Sequence, residues 1–512
     1  MRGTEKSEGN FTLWMQDGDD GEDLGNWIVK QDWSNGEVLT FGASADGIAS
    51  LQVPRNNPQW LTAQYITWAP ASMYQILLPG GAYKQETTEN WLFGLNMPNP
   101  DIVYDNLNTV YQNEAYTDYW KGIETTDERM KNVRARNSFW AGWYDLFLTG
   151  NLVAWNQYNT KSDESVRYTS SLTVDPLGHC LDGADFFTND VVDGRTALVL
   201  GQIFETYGIK ASGRRNIKNV TFYVMSSNDD AGLAAGQYWT TRETWPTPTM
   251  TDFYLHADGT ASLKPPTPSE TESTSYVYDP SNPVLTMGGN NLPPSIGGSI
   301  PCGPMDQSVV DARPDVLLFE TSALQNELAI TGPIFATLFV SSDATDTDFM
   351  VKLSDVYPSG QVSLIQDSAV RMRWRNGGLT PEYLNKRDVY EVEISLWNTS
   401  FVVAPGHKLR VAVTSSNWPR FSVNPNNGLL LADPSYPGKN ITATNTLHHS
   451  TTRASKITLP VVSKLLDLPK VHVIEAIQET YPEITHDVIK SFGKSLNTMM
   501  AHGKKSDKPK KK

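Results

Sequence analysis

Three residues have the types and the chain order needed for nucleophilic catalysis, namely Ser44, Asp145 and His179. A serine hydroxyl becomes an effective nucleophile when an imidazole accepts its proton, and a buried carboxylate holds that imidazole in the correct tautomer. The order serine, aspartate, histidine along the chain is also that of α/β-hydrolase triads. Aspartates are abundant in this chain, so coincidence is an equal alternative for the pattern taken alone.

Ser44 lies in a context that is typical of a nucleophile elbow. Residues 37–41 predict a short strand, residues 42–47 read Gly-Ala-Ser-Ala-Asp-Gly, and a helix is predicted from Ile48. A strand, a sharp glycine turn that carries serine and a helix are what such an elbow requires. The second glycine comes one residue later than in the common esterase pattern, so an ordinary glycine turn is the competing interpretation.

Asp145 and His179 are also predicted to follow strands. The aromatic run 139–147 predicts a buried strand, whose aspartate caps a helix from Leu146 to Tyr158. Residues 171–174 predict another strand, which leads to His179 through Asp-Pro-Leu-Gly. All other histidines lie beyond residue 250, in segments of different character. The three candidate residues are therefore expected at the carboxyl ends of three strands.

Composition limits the class of protein. The chain has 512 residues, 39% of them hydrophobic and 10% aromatic, which supplies large cores and excludes wholesale disorder. No uncharged apolar run reaches the roughly 18 residues that a membrane-spanning helix needs. The net charge of -15 argues against nucleic acid as a partner. Cys180 and Cys302 are too few for a disulfide framework or a multi-cysteine metal site, and whether they pair is left open.

A dense acidic segment, residues 17–23, precedes a predicted helix from Leu24 to Gln31. Acidic residues at a helix start suit the macrodipole and the unpaired N–H groups there. A calcium loop is the competing interpretation, but no glutamate stands at the twelfth position counted from Asp17, as EF-hand spacing demands. We therefore expect helix capping at this segment. Nucleophilic catalysis by the three residues named above needs no metal or cofactor, and we expect none.

The remaining segments differ in composition. Residues 72–126 show no sustained alternation and predict a helical, loop-rich insertion. From about Pro246, short strand-like runs separated by turn residues predict a β-sandwich. After Leu465 the chain is predicted to be helical and to end in a basic segment, residues 504–512. This segment is most simply a solvated tail, and a role in nuclear localisation or in binding an acidic surface is the alternative.

Several stretches together resemble one enzyme family. Residues 32–44, 142–147 (Gly-Trp-Tyr-Asp-Leu-Phe) and 176–179 (Pro-Leu-Gly-His) are similar to the bacterial cocaine esterase and X-Pro dipeptidyl-peptidase type (CocE/NonD) of serine hydrolases. This group includes α-amino acid ester hydrolases and cephalosporin acylases. The family's C-terminal jelly roll is resembled by residues 344–360, 371–375, 405–407 and 415–420. The resemblance covers roughly residues 2 to 462 in unbroken order.

The resemblance implies an α/β hydrolase domain with an inserted helical cap, followed by an all-β jelly-roll (galactose-binding-like) domain. The expected segments are the first part of the hydrolase domain (1–71), the helical cap (72–126), the second part of the hydrolase domain (127–245), the jelly roll (246–463) and a helical extension with a basic tail (464–512).

The resemblance also implies roles for individual residues. Ser44 is expected to be the nucleophile, Asp145 the carboxylate that orients the histidine, and His179 the general base. The backbone N–H of Ala45 is expected to be one donor of the oxyanion hole, which stabilises the negative charge of the tetrahedral intermediate.

Two aromatic residues also match residues of the family. Trp91 and Phe147 resemble the family's acyl-pocket aromatics, although a purely core role is an equal alternative for each.

Three features depart from the family pattern. Ala45 stands where the family usually has tyrosine, and Leu177 where it has tryptophan. Too few residues precede the serine for the five strands that normally lead to it. We therefore expect the first four strands, with a tyrosine hydroxyl as second oxyanion donor, to lie upstream of Met1.

The leading hypothesis is a serine hydrolase that cleaves ester or amide bonds, X-Pro dipeptidyl and α-amino acyl bonds included, through an acyl-enzyme. Its expected partner is a small-molecule ester, amide or peptide substrate, with no nucleic acid and no membrane span. The alternative is a catalytically dead hydrolase scaffold that binds a partner through its jelly roll. The sequence leaves open the substrate, a homo-oligomer, and a cytoplasmic or secreted location.

Overall fold

A computed structural model describes residues 2–3, 6–95, 99–183, 186–187, 189–213, 216–226, 236–462 and 468–502. Within these ranges the chain forms an α/β-hydrolase domain followed by an all-β domain, which confirms the predicted fold class. Met1 and the predicted basic tail lie outside the described residues. The predicted segment boundaries stay predictions.

The helices and strands are numbered in chain order. The helices are α1 (Asp17–Ile28), α2 (Ala45–Gln52), α3 (Met73–Leu77), α4 (Gln85–Gly94), α5 (Pro100–Gln112), α6 (Asp118–Ile123), α7 (Asp127–Met130), α8 (Leu148–Lys161), α9 (Asn189–Thr206), α10 (Ser308–Asp311), α11 (Val473–Thr480) and α12 (His486–His502). The strands are β1 (Val38–Ala43), β2 (Leu61–Thr67), β3 (Arg136–Tyr144), β4 (Ser171–Gly178), β5 (Val220–Ser226), β6 (Tyr238–Arg242), β7 (Thr249–Leu255), β8 (Ala261–Ser262), β9 (Ser273–Tyr278), β10 (Leu317–Glu320), β11 (Leu328–Ser342), β12 (Asp348–Val356), β13 (Val362–Arg371), β14 (Tyr390–Val403), β15 (Lys408–Thr414), β16 (Ala443–Ser450), β17 (Arg453–Ala454), β18 (Lys456–Val461) and β19 (Lys470–Val471).

The hydrolase domain is built on a parallel sheet in which β1, β2, β3, β4 and β5 lie side by side in chain order. All positions of β4 are buried, as are all but the first of β3, which is usual when both faces of a parallel sheet are covered. Parallel strands end at the same edge, so the residues that follow β1, β3 and β4 meet there. No strand was predicted for residues 61–67, where β2 lies, although this run is rich in strand-forming residues.

A helical insertion lies between β2 and β3 and contains α3 to α6. Glu114, which follows α5, fixes it to the all-β domain. Its Oε1 accepts hydrogen bonds from the Arg373 guanidinium (2.5 and 3.0 Å) and from Trp374 Nε1 (2.8 Å), and its Oε2 accepts from the N–H of Leu431 (2.9 Å). All four groups are at least partly shielded from water, so the ion pair ties the insertion to the second domain.

The all-β domain is a sandwich that joins the hydrolase sheet. One layer has the strand order β10-β15-β12-β13, and the other is centred on β11 and β14. β14 pairs in parallel with β5 through Phe401 and Met225, which makes the second layer continuous with the hydrolase sheet. The hydroxyl of Tyr144, the last residue of β3 and the one before Asp145, donates to the carbonyl of Leu364 at 2.8 Å.

Two predicted helices have different bounds. α1 begins at Asp17 instead of Leu24, so the acidic residues form its first turns instead of preceding it. Its glycines allow close packing, since a Cβ at Gly25 would lie 2.0 Å from the Trp60 ring. α8 begins at Leu148 instead of Leu146, because the Asp145 side chain holds the preceding backbone in the turn described below.

Candidate active site

Ser44 occupies a strained turn between β1 and α2. Its backbone has φ 57° and ψ -125°, a conformation that costs a non-glycine residue free energy and is found at functional sites. Two flanking glycines make the turn sterically feasible. A Cβ at Gly42 would lie 2.3 Å from the Asp46 carbonyl oxygen, and one at Gly47 would lie 2.7 Å from the Cβ of Ala69. The predicted elbow is therefore present.

The three residues predicted from the sequence are in hydrogen-bond contact. His179 Nε2 lies 3.0 Å from Ser44 Oγ, and His179 Nδ1 lies 2.6 Å from Asp145 Oδ2. A carboxylate can only accept, so Nδ1 carries the hydrogen and Nε2 is free to accept the serine proton. The serine, aspartate and histidine follow β1, β3 and β4, the strand ends that the parallel sheet brings together.

Asp145 is fully buried and held by backbone contacts. Its Oδ1 accepts from the N–H of Phe147 at 2.6 Å, which leaves Oδ2 for the histidine. From the all-β domain, Asn290 Nδ2 donates to the carbonyl oxygens of Asp145 (2.9 Å) and Trp143 (3.1 Å). These contacts fix both the side chain and the backbone of the carboxylate residue.

His179 is fully buried between aromatic rings. The ring centroids of Trp68 and Phe147 lie 5.5 and 5.3 Å from that of the imidazole. Burial acts most strongly on the pKa of His179 and lowers it, but the negative charge of Asp145, the charge of Cys180 and hydrogen bonds to both residues together outweigh burial. The net effect is a raised pKa, so the imidazole is a stronger base than a free histidine.

The two cysteines are free, which settles the pairing left open by the sequence. Cys302 is buried against the backbone before His179, where a Cβ at Gly178 would lie 2.2 Å from the Cys302 Cβ. Burial raises the pKa of the Cys302 thiol well above its usual value. Its position supports packing of the histidine loop rather than thiol chemistry.

An apolar cavity opens onto Ser44. Trp91 and Phe147, the two predicted pocket aromatics, both line it, and Trp91 stacks on Trp14 with ring centroids 5.6 Å apart. Leu292 lies in a segment predicted to belong to the jelly roll and contributes one wall. The residues that line the cavity are Leu13, Trp14, Ser44, Ala45, Ile48, Met73, Leu77, Thr87, Thr88, Trp91, Leu92, Leu146, Phe147, His179 and Leu292.

Ala45, the predicted oxyanion donor, also lines this cavity and is the first residue of α2. The N–H of a first helical residue has no intrahelical carbonyl to donate to, and it lies at the positive end of the helix. Its backbone is therefore able to stabilise a negative oxygen beside Ser44.

Several residues of the site were not predicted from the sequence. Trp68 directly follows β2, so a strand prediction for residues 61–67 would have placed it at the same sheet edge. Asn290 and Leu292 come from a loop far along the chain, and no local pattern marks them. Thr87 lies in the first turns of α4, where a threonine carries no distinct signal.

A second serine–histidine–carboxylate contact occurs in the all-β domain. His256 Nε2 lies 3.0 Å from Ser262 Oγ, and His256 Nδ1 lies 2.7 Å from Glu270 Oε2. Ser262 Oγ also accepts from the N–H of Lys264 at 3.2 Å, so it belongs to a surface turn. This contact has neither the strained elbow nor the cavity found at Ser44, and it provides an internal control for experiments.

Two further findings concern the part of the chain that the structure describes. No set of three or more His, Cys, Asp and Glu side chains there is arranged to hold a metal ion. Among the helices described, none combines the length and apolar character needed to cross a bilayer.

Known proteins share both the sequence and the fold. A family model for X-Pro dipeptidyl-peptidase (S15 family) matches residues 1–103, and one for the X-Pro dipeptidyl-peptidase C-terminal non-catalytic domain matches residues 215–458. The cocaine esterase of Rhodococcus sp. (strain MB1 Bresler) is 30% identical over 524 residues, which cover 90% of this chain and 87% of the relative.

Two solved structures have the same architecture. An aminopeptidase from the marine sediment archaeon Thaumarchaeota archaeon matches with a TM-score of 0.76 at 20% identity, and an α-amino acid ester hydrolase matches with a TM-score of 0.73 at 21% identity. Each match covers 90% of this chain and 84% of the other. The fold, the two family models and the 30% identical relative agree, and the chain belongs to the cocaine esterase and X-Pro dipeptidyl-peptidase type (CocE/NonD) family of serine hydrolases.

Proposed function

We propose that Ser44, His179 and Asp145 form a catalytic triad and that the protein hydrolyses carboxylic esters of small molecules through an acyl-enzyme. The observation that carries this proposal is the position of His179, whose two ring nitrogens contact Ser44 Oγ and Asp145 Oδ2 at once. The strained elbow at the serine and the adjoining cavity give it further support.

In the acylation step, Ser44 Oγ attacks the ester carbonyl carbon while His179 Nε2 takes the hydroxyl proton. The imidazolium that forms is stabilised by Asp145, in keeping with the raised pKa of His179. Collapse of the tetrahedral intermediate expels the alcohol, which receives the proton from Nε2. Water then attacks the acyl-enzyme, with His179 again as base, and releases the acid and the free serine.

The tetrahedral intermediate carries a negative oxygen, and the Ala45 N–H is its donor in this proposal. A single donor in such a hole contributes roughly 2.7–4 kcal/mol to transition-state stabilisation. Trp91 and Phe147 flank the serine across the cavity and receive the acyl group, since flat apolar rings bind uncharged hydrocarbon and aromatic groups.

Ester cleavage is favoured over amide cleavage because the 30% identical relative is named an esterase and the cavity is overwhelmingly apolar. A free α-amino group would carry a positive charge, and no acidic side chain is among the residues that line the cavity. X-Pro dipeptidyl and α-amino acyl substrates are therefore the weaker candidates. The alternative of a dead binding scaffold is not favoured, since the relatives are hydrolases.

The experiment is a comparison of para-nitrophenyl butanoate, a phenylglycine methyl ester and an X-Pro para-nitroanilide as substrates of the wild type and of Ser44→Ala. We expect rapid release of nitrophenol from the butanoate, with a burst equal to the enzyme concentration where deacylation is slow, and no enzymatic release by Ser44→Ala. Equal turnover by the wild type and Ser44→Ala would refute the triad. A preference for the X-Pro amide would refute the proposed substrate class.

A further inference from the structure

Thr87 carries an unpartnered hydroxyl at the wall of the apolar cavity. The residue is 4% exposed and lines the cavity, and its Oγ1 is buried without a hydrogen-bond partner among the described residues. Buried hydroxyls normally have a partner, so an exception in a binding cavity calls for an explanation. The remaining polar side chains that line the cavity are Ser44, His179 and Thr88.

The local backbone explains why this hydroxyl is free. A threonine inside a helix usually donates to the carbonyl four residues earlier, which for Thr87 is that of Tyr83. That carbonyl already accepts from the N–H groups of Gln85 (3.0 Å) and Ser422 (2.8 Å), and a carbonyl oxygen has two lone pairs. The N–H of Ser422, from the all-β domain, and that of Gln85 thus occupy the acceptor that Thr87 would otherwise use.

The neighbouring Thr88 shows the ordinary arrangement. It lines the same cavity and lies on the same helix, but its Oγ1 donates to the carbonyl of Lys84 at 2.8 Å. The two threonines therefore differ in one respect, since the Thr88 hydroxyl is hydrogen-bonded to the backbone and the Thr87 hydroxyl has no partner among the described residues.

We propose that Thr87 determines acyl-group specificity by hydrogen-bonding an oxygen atom of the acyl group, so that the enzyme prefers oxygen-bearing acyl groups over hydrocarbon groups of the same shape. This inference rests on the proposed esterase function. In the free enzyme the hydroxyl of Thr87 has no partner within the described ranges of the chain. A hydrocarbon acyl group leaves Thr87 Oγ1 without a partner, whereas an ether, carbonyl or hydroxyl oxygen of the acyl group supplies one.

The test uses pairs of para-nitrophenyl esters that have nearly the same shape. These are methoxyacetate with butanoate, methoxypropanoate with pentanoate, and tetrahydrofuran carboxylate with cyclopentane carboxylate. For each pair, the ratio of kcat/KM values is measured for the wild type, Thr87→Val, Thr87→Ser and Thr88→Val. Comparing a ratio between variants cancels the intrinsic reactivity of the two esters.

We expect Thr87→Val to lower the oxygen-to-hydrocarbon ratio of at least one pair by about 2- to 12-fold, the range for one neutral hydrogen bond. Thr87→Ser should keep most of the preference, because it retains the hydroxyl, and Thr88→Val should keep the wild-type ratios. Unchanged ratios in Thr87→Val for all pairs would overturn the proposal while leaving the esterase function intact. No Ser44-dependent hydrolysis of any ester would instead refute the proposed function, and this inference with it.

Denaturant unfolding supplies a readout that does not depend on activity. Replacing Thr87 by the isosteric valine breaks no bond within the protein, so the denaturation midpoint should be unchanged or raised. Thr88→Val removes the bond to the Lys84 carbonyl and should lower the midpoint. A midpoint lowered as much by Thr87→Val as by Thr88→Val would mean that the hydroxyl has a partner within the protein, which would also overturn the proposal.

Discussion

His179 Nε2 lies 3.0 Å from Ser44 Oγ although 135 residues separate them in the chain. The contact forms because β1 and β4 are parallel strands of one sheet and end at the same edge. Neither residue could reach the other through local structure, so the proposed chemistry depends on the sheet. His179 also contacts Asp145, so the charge of Asp145 acts on the proposed nucleophile through the imidazole.

The pH dependence of activity should follow the raised pKa of His179. The general base must be neutral, so kcat/KM for an uncharged ester should be low at acidic pH and rise as pH increases through this pKa. The midpoint should lie above the 6.5 of an ordinary histidine, because the charges of Asp145 and Cys180 and the hydrogen bonds of the imidazole together outweigh the effect of burial on the pKa of His179. Initial rates measured across the pH range check this, and a midpoint below 6.5 would contradict it.

Asp145→Asn should move that midpoint downward. The substitution removes the negative charge that raises the pKa of His179 and leaves burial, which lowers it. It also favours the wrong tautomer, and the corresponding change in a serine protease reduces kcat roughly 10⁴-fold. Asp118→Asn alters an exposed carboxylate on α6 and is the control, with an unchanged midpoint and rate. An unshifted midpoint in Asp145→Asn would show that Asp145 is not coupled to the base.

The elbow should not tolerate a methyl group at residue 42. In Gly42→Ala the new Cβ would lie 2.3 Å from the Asp46 carbonyl oxygen and 2.6 Å from Ser50 Oγ, and the Asp46 backbone belongs to the first turn of α2 and cannot move away without disturbing it. We expect loss of esterase activity together with a lower unfolding midpoint. Gly94→Ala is the matched control, since nothing lies within 4 Å of its Cβ and alanine favours the helix. Full activity in Gly42→Ala would contradict the structure of the elbow.

Trp91 should contribute to binding of aromatic acyl groups. Trp91→Ala removes a ring from the cavity wall, and loss of such apolar contact corresponds to roughly 1.5–3 kcal/mol, or about a tenfold or greater fall in kcat/KM. The fall should be larger for a benzoate than for an acetate ester of the same alcohol. Phe93→Ala on the same helix is the control, because Phe93 is 49% exposed and does not line the cavity. Equal losses for both esters would indicate a core role for Trp91.

The ion pair between Glu114 and Arg373 should anchor the helical insertion. Both side chains are buried, and Glu114→Gln places an amide donor or a neutral oxygen against the guanidinium. Arg373 keeps its buried ion pair with Asp346, so the loss of the Glu114 charge is expected to cost roughly 1–3 kcal/mol in the free energy of unfolding, measured by denaturant titration. Asp118→Asn, which breaks an exposed pair with Lys121, should leave that free energy unchanged. Similar values for the two variants would mean that the insertion is held by other contacts.

The parts of the site that sequence could predict are those with local signals. A strand end is marked by each of three features, namely the Gly42–Gly47 turn, the aromatic run before Asp145 and the loop before His179. A parallel sheet brings such strand ends together at one edge. The acidic residues 17–23 were predicted to precede a helix that begins at Leu24, but they form the first turns of α1. Gly18 and Gly21 let these turns pack closely against residues 52 and 53, a contact that periodicity does not reveal.

The parts that sequence could not predict depend on long-range contacts. Asn290 reaches Asp145 from the all-β domain, and the hydroxyl of Thr87 is unpartnered only because residue 422 occupies the Tyr83 carbonyl. Ser262, His256 and Glu270 illustrate the reverse problem, since they reproduce the hydrogen bonds of the candidate triad in a surface turn. Hydrogen-bond geometry identifies a candidate, whereas the elbow and the cavity distinguish the proposed nucleophile.

The most direct measurement is labelling of the 512-residue chain with a fluorophosphonate, read by intact mass and peptide mapping, in the wild type, Ser44→Ala and Ser262→Ala. We expect a single adduct, on Ser44. This adduct should be absent from Ser44→Ala and present in Ser262→Ala. An adduct that persists in Ser44→Ala, or no adduct on folded wild-type protein, would contradict the assignment of Ser44 as the activated nucleophile.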